Sequence, residues 1–393
     1  MNFPVLHPFT PIAMKTLLSP GMLVALALLA APRLPAATFS TGSDGSYGAL
    51  TITNNTVLPV TSNGVFHCTT ITIGEGATLS FTPNELNTPV YLLAQGDVSI
   101  LGAIDVGGQN HNVGARGGPG GFAGGASAKP GLPAGDGHGP GGGGGGASTD
   151  SGSPDYPGNG SFGGVDARTG STLHGRIYGN SLLVPLIGGS GGGGRPDGYV
   201  GGGGGGAILI ASDTSIFVTG AIRARGGVGV FFASGSGGGV RLVAPAFNMT
   251  GFAVIDTRGG NEAWTGRIRI DRLSGGTLHN LYGVSSIGSF MSVFPAGLAS
   301  LVFTEVAGTT IPEGSTAAAS LLLPVGASTN QTVKLLGRNF VGTVPIEVAV
   351  TPENGPTTYF EGNLVAAPDR TGTATIGIQV PANVPVSLYA WPK

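Results

Sequence analysis

The chain has 393 residues, of which 10% are charged, and a formal net charge of −2, so it has no electrostatic footprint for nucleic acid or an anionic membrane surface. It holds 75 glycines but one cysteine, Cys68. An intrachain disulfide is therefore excluded, and glycine without a strict three-residue period excludes collagen.

The amino terminus reads as an export signal over residues 1–37. Met14-Lys15 opens a positive region, Leu17 to Ala31 is apolar, and Leu34-Pro-Ala-Ala37 supplies small residues for cleavage. Met14 would also serve as the start. The apolar run is shorter than the ~20 residues of a spanning helix, so the mature chain is expected to be exported and not membrane-spanning.

Residues 38–290 are expected to form a parallel β-solenoid with a glycine-rich insertion at 107–206. Ala49–Thr53, Thr69–Ile73 and Ala77–Phe81 alternate as strands. Three later segments then read alike. Aligning Ile104, Ile222 and Ile255 brings Val98, Ile216 and Met249 into one column and Asp105, Arg223 and Asp256 into another. Each unit pairs an upstream apolar strand (Val90–Ala94, Ala207–Ala211, Val240–Ala244) with a downstream alternating one, and each closes on Gly-Gly. Two short strands cannot bury their own apolar face. Stacked copies can, with the isoleucines inward and Arg223 between two aspartates. Glycine connections cannot supply the helices of a Rossmann-like fold; an antiparallel sandwich is the alternative.

The insertion, residues 107–206, holds 40 of the 75 glycines. Its runs at Gly191–Gly194 and Gly201–Gly206 are hinged on Arg195-Pro-Asp-Gly198. It also contains the apolar Ser181-Leu-Leu-Val-Pro-Leu-Ile187, which a solvated loop has no reason to expose. A packed appendage is therefore expected. Gly266–Leu273 reads as a last rung with Arg267, Arg269 and Asp271 on a solvated face, and a linker is expected near 290–300. From 299 to 393 glycine falls, and about seven alternating strands (Leu301–Glu305, Ser320–Leu323, Gln331–Leu336, Pro345–Val350, Thr357–Glu361, Thr373–Val380, Val386–Trp391) suit an immunoglobulin-like β-sandwich.

Val90-Tyr-Leu-Leu-Ala94, Ile104-Asp-Val-Gly-Gly108, Gly117-Gly-Pro-Gly-Gly-Phe122, Leu183 to Gly194, Gly203 to Ala211 and Gly237 to Pro245 resemble a group of glycine-rich secreted bacterial proteins with solenoid-like rungs. The resemblance covers about residues 85–275. It implies export and carries no activity, cofactor or site residue.

The function expected from these features is that of an exported cell-surface or extracellular-matrix protein, structural or adhesive and without catalysis. Its partners would be surface glycans or copies of itself. Phe122, Tyr156, Phe162, Tyr178 and Tyr199, the aromatics of the insertion, are the candidate contacts; packing between glycine layers is their other reading. The alternative function is a polysaccharide lyase or hydrolase, which needs paired carboxylates or a base beside a cation site. Asp213, Asp256, Glu262 and Asp271, with Arg223, Arg225 and Arg258, are its only material and form no motif. The six histidines lack ligand spacing. No cofactor is expected, beyond weak calcium binding at Asp136, Asp150, Asp155 and Asp166.

Overall fold

The computed structural model of the protein describes residues 39–150, 152–153, 155–164, 172–262, 265–315 and 317–393, and leaves aside the side chain of Glu262. The expected export signal, residues 1–37, lies outside the described residues. These contain no α-helix, only two three-residue 3₁₀ turns, and no helix long and apolar enough to cross a membrane.

The first fifteen strands are β1 (Gly48–Ile52), β2 (Thr56–Pro59), β3 (Val65–Ile73), β4 (Thr78–Thr82), β5 (Val90–Ala94), β6 (Val98–Ile100), β7 (Ala103–Asp105), β8 (Ala207–Ser212), β9 (Ser215–Val218), β10 (Ala221–Arg223), β11 (Gly239–Met249), β12 (Val254–Asp256), β13 (Arg267–Gly275), β14 (Leu281–Tyr282) and β15 (Val284–Gly288). All pair in parallel, in a nine-stranded and a six-stranded sheet. The downstream register read from the sequence holds: Ile222 lies opposite both Ile104 and Ile255, and Arg223 opposite both Asp105 and Asp256. The three isoleucines are fully buried, each contributing roughly 1.5–3 kcal/mol. The upstream column holds only in part: Val98 faces Ile216, but Ile216 faces Phe247 and Met249 faces Val218, two residues out of the expected alignment. The turn between β11 and β12 is two residues longer than a fixed repeat spacing assumes.

The expected solenoid is not what forms. Six strands close into a parallel barrel, in the order β3-β5-β8-β11-β9-β6 and back to β3. The cause is two long strands. β3 pairs with β5 through Val65–Cys68 and with β6 through Ile71–Ile73. β11 pairs with β8 through Gly239–Val243 and with β9 through Ala246–Met249. Each bends once, where its burial pattern changes phase: β3 at Thr69–Thr70, β11 at Pro245. The sequence suggests a break at Pro245; the chain instead runs on as one strand and joins the two ladders. Cys68 lies buried inside, where burial pushes its thiol up to about 11.

The carboxy-terminal strands are β16 (Ser300–Val306), β17 (Thr309–Thr310), β18 (Asn330–Arg338), β19 (Thr343–Pro352), β20 (Thr358–Val365), β21 (Thr371–Gln379) and β22 (Val386–Pro392). They form a four-stranded and a three-stranded antiparallel sheet, in the orders β17-β16-β18-β21 and β20-β19-β22, around one core that includes Val333, Leu335, Ile346, Val348 and Ile376. Ser320–Leu323 is not a strand; Pro312, Gly314, Pro324 and Gly326 keep that stretch in turns.

No free linker separates the halves. Val293 is buried against the outer face of the parallel sheet with Leu183, Leu186 and Phe162 of the insertion. The antiparallel sheets sit against the glycine segments. Asn354 donates to the Ser127 and Pro133 carbonyls at 2.8 and 3.1 Å, and the Thr357 N–H donates to Asp136 at 2.7 Å. Arg176 pairs with Glu347 and lies over the rings of Tyr359 and Trp391. Residues 39–393 thus form a single compact unit.

Candidate functional site

The site is built on the glycine insertion, which is packed. Its extended segments hydrogen-bond to several neighbours in different directions, unlike the two coplanar neighbours of a β-strand. One row runs from the Gly125 N–H to the Gly192 carbonyl, from the Gly192 N–H to Gly202, and from the Gly202 N–H to Ala233, at 2.9, 2.9 and 2.7 Å. Gly201–Gly206 also bonds to Val106, Gln109, Phe122 and Ser236. Only glycine permits this spacing: a Cβ on Gly204 would stand 2.0 Å from the Gly189 carbonyl oxygen. The layer is a rigid platform whose few side chains emerge at its rims.

Four of the five expected aromatic contacts work inside this platform. Phe162 is buried, 4.7 Å from the Tyr178 ring, with Arg267 over its other side. Tyr178 donates to the Gly188 carbonyl at 2.6 Å and accepts from Ser190 at 3.0 Å; burial raises its phenol well above the usual range. Phe122 meets Tyr389 edge-on at 5.5 Å, fastening the glycine layer to the antiparallel sheets. Tyr156 is buried beneath Arg195 and Phe232.

Tyr199 differs: it is 46% exposed. The Arg195-Pro-Asp-Gly198 turn, closed by the Arg195 N–H on the Tyr199 carbonyl at 2.9 Å, sets it beside Arg195. Gly198 takes φ +93°, which favours glycine. The guanidinium of Arg195 is almost wholly buried. It donates to both Asp197 oxygens, at 2.8 and 2.5 Å, and to the Tyr156 hydroxyl at 2.5 Å. Those bonds hold the Asp197 carboxyl below the usual carboxylate range. Around this neutralised pair stand the rings of Tyr156, Tyr199 and Phe231, at 5.0, 6.0 and 5.4 Å from the guanidinium carbon. Phe231 is 66% exposed, and His111 meets Tyr199 edge-on at 5.8 Å. No family model, curated protein or solved structure matches this chain.

Phe231 is the residue of this cluster that sequence reasoning missed. Its signal is slight: Val230-Phe-Phe232 interrupts a glycine-rich connection between two repeats. The resulting arrangement, two exposed rings around a charge-compensated, hydrogen-bonding centre, offers apolar faces and polar rims without net charge.

Of the carboxylates of the catalytic alternative, the Glu262 side chain lies outside the described residues and the other three are engaged elsewhere. Asp213 accepts the Thr41 N–H at 2.5 Å. Burial would raise the Asp256 carboxyl, but hydrogen bonds from Arg258 and the charges of Arg225 and Arg258 outweigh it and hold the group below its usual range. A general acid needs the opposite shift. Asp271 is fully buried between Arg269 and Arg241, at 2.5 and 3.5 Å, and accepts the Phe290 N–H at 2.8 Å. The expected solvated face of Asp271 and Arg269 is thus a covered one, because Phe290 and Ser292 fold over it and take Arg241 on their carbonyls. Arg223 lines a shallow groove of about 350 Å³ with Gly102, Gly220 and Phe252, and no carboxylate joins it there. Asp136 is occupied by the Gly145 and Thr357 N–H groups. Asp150 and Asp155 sit in exposed turns, and Asp166 lies outside the described residues. Among the described residues no three His, Cys, Asp or Glu side chains converge as metal ligands.

Proposed function

We propose that this chain is an exported cell-surface or extracellular-matrix protein that acts by display and adhesion, holding neutral surface glycans on the exposed rings of Tyr199 and Phe231, which the buried Arg195 fixes in place. The reading rests on one observation: two exposed rings flank a buried, charge-compensated guanidinium on a platform stiffened by backbone hydrogen bonds. Exposed aromatics on such a base keep little freedom to lose on binding. Export follows from the signal-like amino terminus. The carboxy-terminal sheets, four and three strands over one core, are read as an immunoglobulin-like sandwich that braces the platform.

The test is a glycan array followed by affinity electrophoresis with the captured polysaccharide. Tyr199→Ala and Phe231→Ala should each weaken retention about tenfold, the ~1.4 kcal/mol of one lost ring contact, with melting temperature unchanged. Retention unchanged in both variants, or release of reducing ends from the polysaccharide, would overturn the reading.

A further inference from the structure

Among the described residues no strand pairs with the outer edge of the parallel strands at either end. At one end the last circuit is the second half of β13, then β14, then β15; at the other the first circuit is β1, β2 and the first half of β3. These are the same ladders in the same order. The second half of β13 belongs to the ladder that ends in β1, and β14 to the ladder that ends in β2.

Both ends present main-chain groups. The Val284 N–H is spent on the Gly266 carbonyl, so alternation turns those of Ser285 and Ile287 away from the sheet. The Tyr282 carbonyl accepts from Thr257, which leaves Leu281 facing outward. At the first end, the Ile52 carbonyl is taken by Gly74, so Thr51 faces outward. Pro59 is the one edge-blunting residue, on β2.

The inward column Phe66, Leu92, Ile210, Leu242, Ile270 is buried throughout but ends on Ile287, which is 54% exposed. Val284 and Tyr282 beside it are also exposed. Charges that normally guard a sheet edge are scarce at both ends; Arg272 of β13 is the exception, and its guanidinium is turned onto the Phe247 and Gly276 carbonyls. From Gly45 to Gly74, and again from Leu273 to Thr304, there is no Asp, Glu, Lys or Arg.

We infer that the occupant of each end is a second copy of this chain, joined head to tail. The edge of β13 would take the next copy's β1, that of β14 its β2, and Ile287 would meet Tyr47, which lies against Phe66. Only a structure with the same ladders in the same direction satisfies both edges at once. Because the two surfaces differ, the contact is heterologous and does not close on itself, so copies add in an open line. The inference is independent of glycan binding.

The experiment uses the full chain and two end-blocked variants, Ile287→Lys at one end and Val57→Lys, on the exposed face of β2, at the other. Sedimentation velocity and electron microscopy should show unbranched oligomers of the unmodified chain that lengthen with concentration. Each variant alone should remain monomeric with an unchanged melting temperature. Their equimolar mixture should give dimers and nothing longer, since each keeps the end that the other has lost. An unmodified chain that stays monomeric at its highest soluble concentration, oligomers that survive both substitutions, or a mixture that forms no dimer would each overturn the inference.

Discussion

The glycine layer makes a quantitative claim about a single methyl group. In Gly204→Ala the new Cβ would stand 2.0 Å from the Gly189 oxygen, against 3.4 Å or more for ordinary contact. Both atoms belong to hydrogen-bonded backbone, so no side chain can swing aside. The segments must separate by more than 1 Å. That movement breaks the bonds from the Gly204 N–H to the Phe122 carbonyl and from the Gly189 N–H to the Gly205 carbonyl. Each bond is worth about 1 kcal/mol, and overpacking adds about 1–3 kcal/mol. The gain from a stiffer unfolded chain, at most about 1 kcal/mol, offsets little of it. The net loss is about 2–5 kcal/mol, or roughly 3–7 °C of melting temperature in a chain this long. Gly251→Ala is the control: nothing lies within 4 Å of its Cβ, so it should be neutral or stabilising by up to about 1 kcal/mol. Differential scanning calorimetry of the two variants decides the matter. Equal melting temperatures would refute the close-packed layer.

Two further outcomes concern the seam between the glycine layer and the antiparallel sheets. His138 lies against Tyr389, its Nδ1 3.1 Å from the hydroxyl, and burial lowers its pKa from 6.5 to about 4. The folded state therefore binds fewer protons than the unfolded between those values. Stability should fall as pH drops from about 6.5 to 4, with a limiting slope near 1.4 kcal/mol per pH unit; denaturant titrations of His138→Gln should show a shallower slope across that window. Burial would raise the Glu347 carboxyl, but Arg176 and Trp391 hydrogen-bond to it and keep it below its usual range, a contribution lost only as pH falls through that depressed value. Arg176→Ala should leave this nearly buried carboxylate with one partner and destabilise the protein by about 1–3 kcal/mol. Limited proteolysis should then cut first within residues 172–178, whereas an unchanged cleavage pattern would show that the arginine does not hold the seam.

The strand repeat was legible because its inward positions are marked by side chains: Ile104, Ile222 and Ile255 announce their own register. The barrel closure was not, because it depends on β3 and β11 bending without breaking, and Pro245 reads as an end. The partners of the glycine segments leave no trace in sequence, since a residue without a side chain carries no pattern of faces. The same blankness hid the roles of the aromatics. Tyr156 and Tyr199 look alike on paper, yet one lies under Arg195 and the other at the rim. The seventh strand of the sandwich, Thr309–Thr310, is too short to show alternation, while Ser320–Leu323 shows an apolar run without becoming a strand.

The insertion leaves the parallel sheet after β7 and returns at β8, and its two ends touch: the Gly206 N–H donates to the Val106 carbonyl at 2.7 Å. To the strands on either side, the hundred intervening residues are equivalent to a short turn. Excursions fastened at the neck in this way can be lengthened, shortened or exchanged while the scaffold keeps its registration, so a lineage could restyle what it shows its surroundings without rebuilding what supports it.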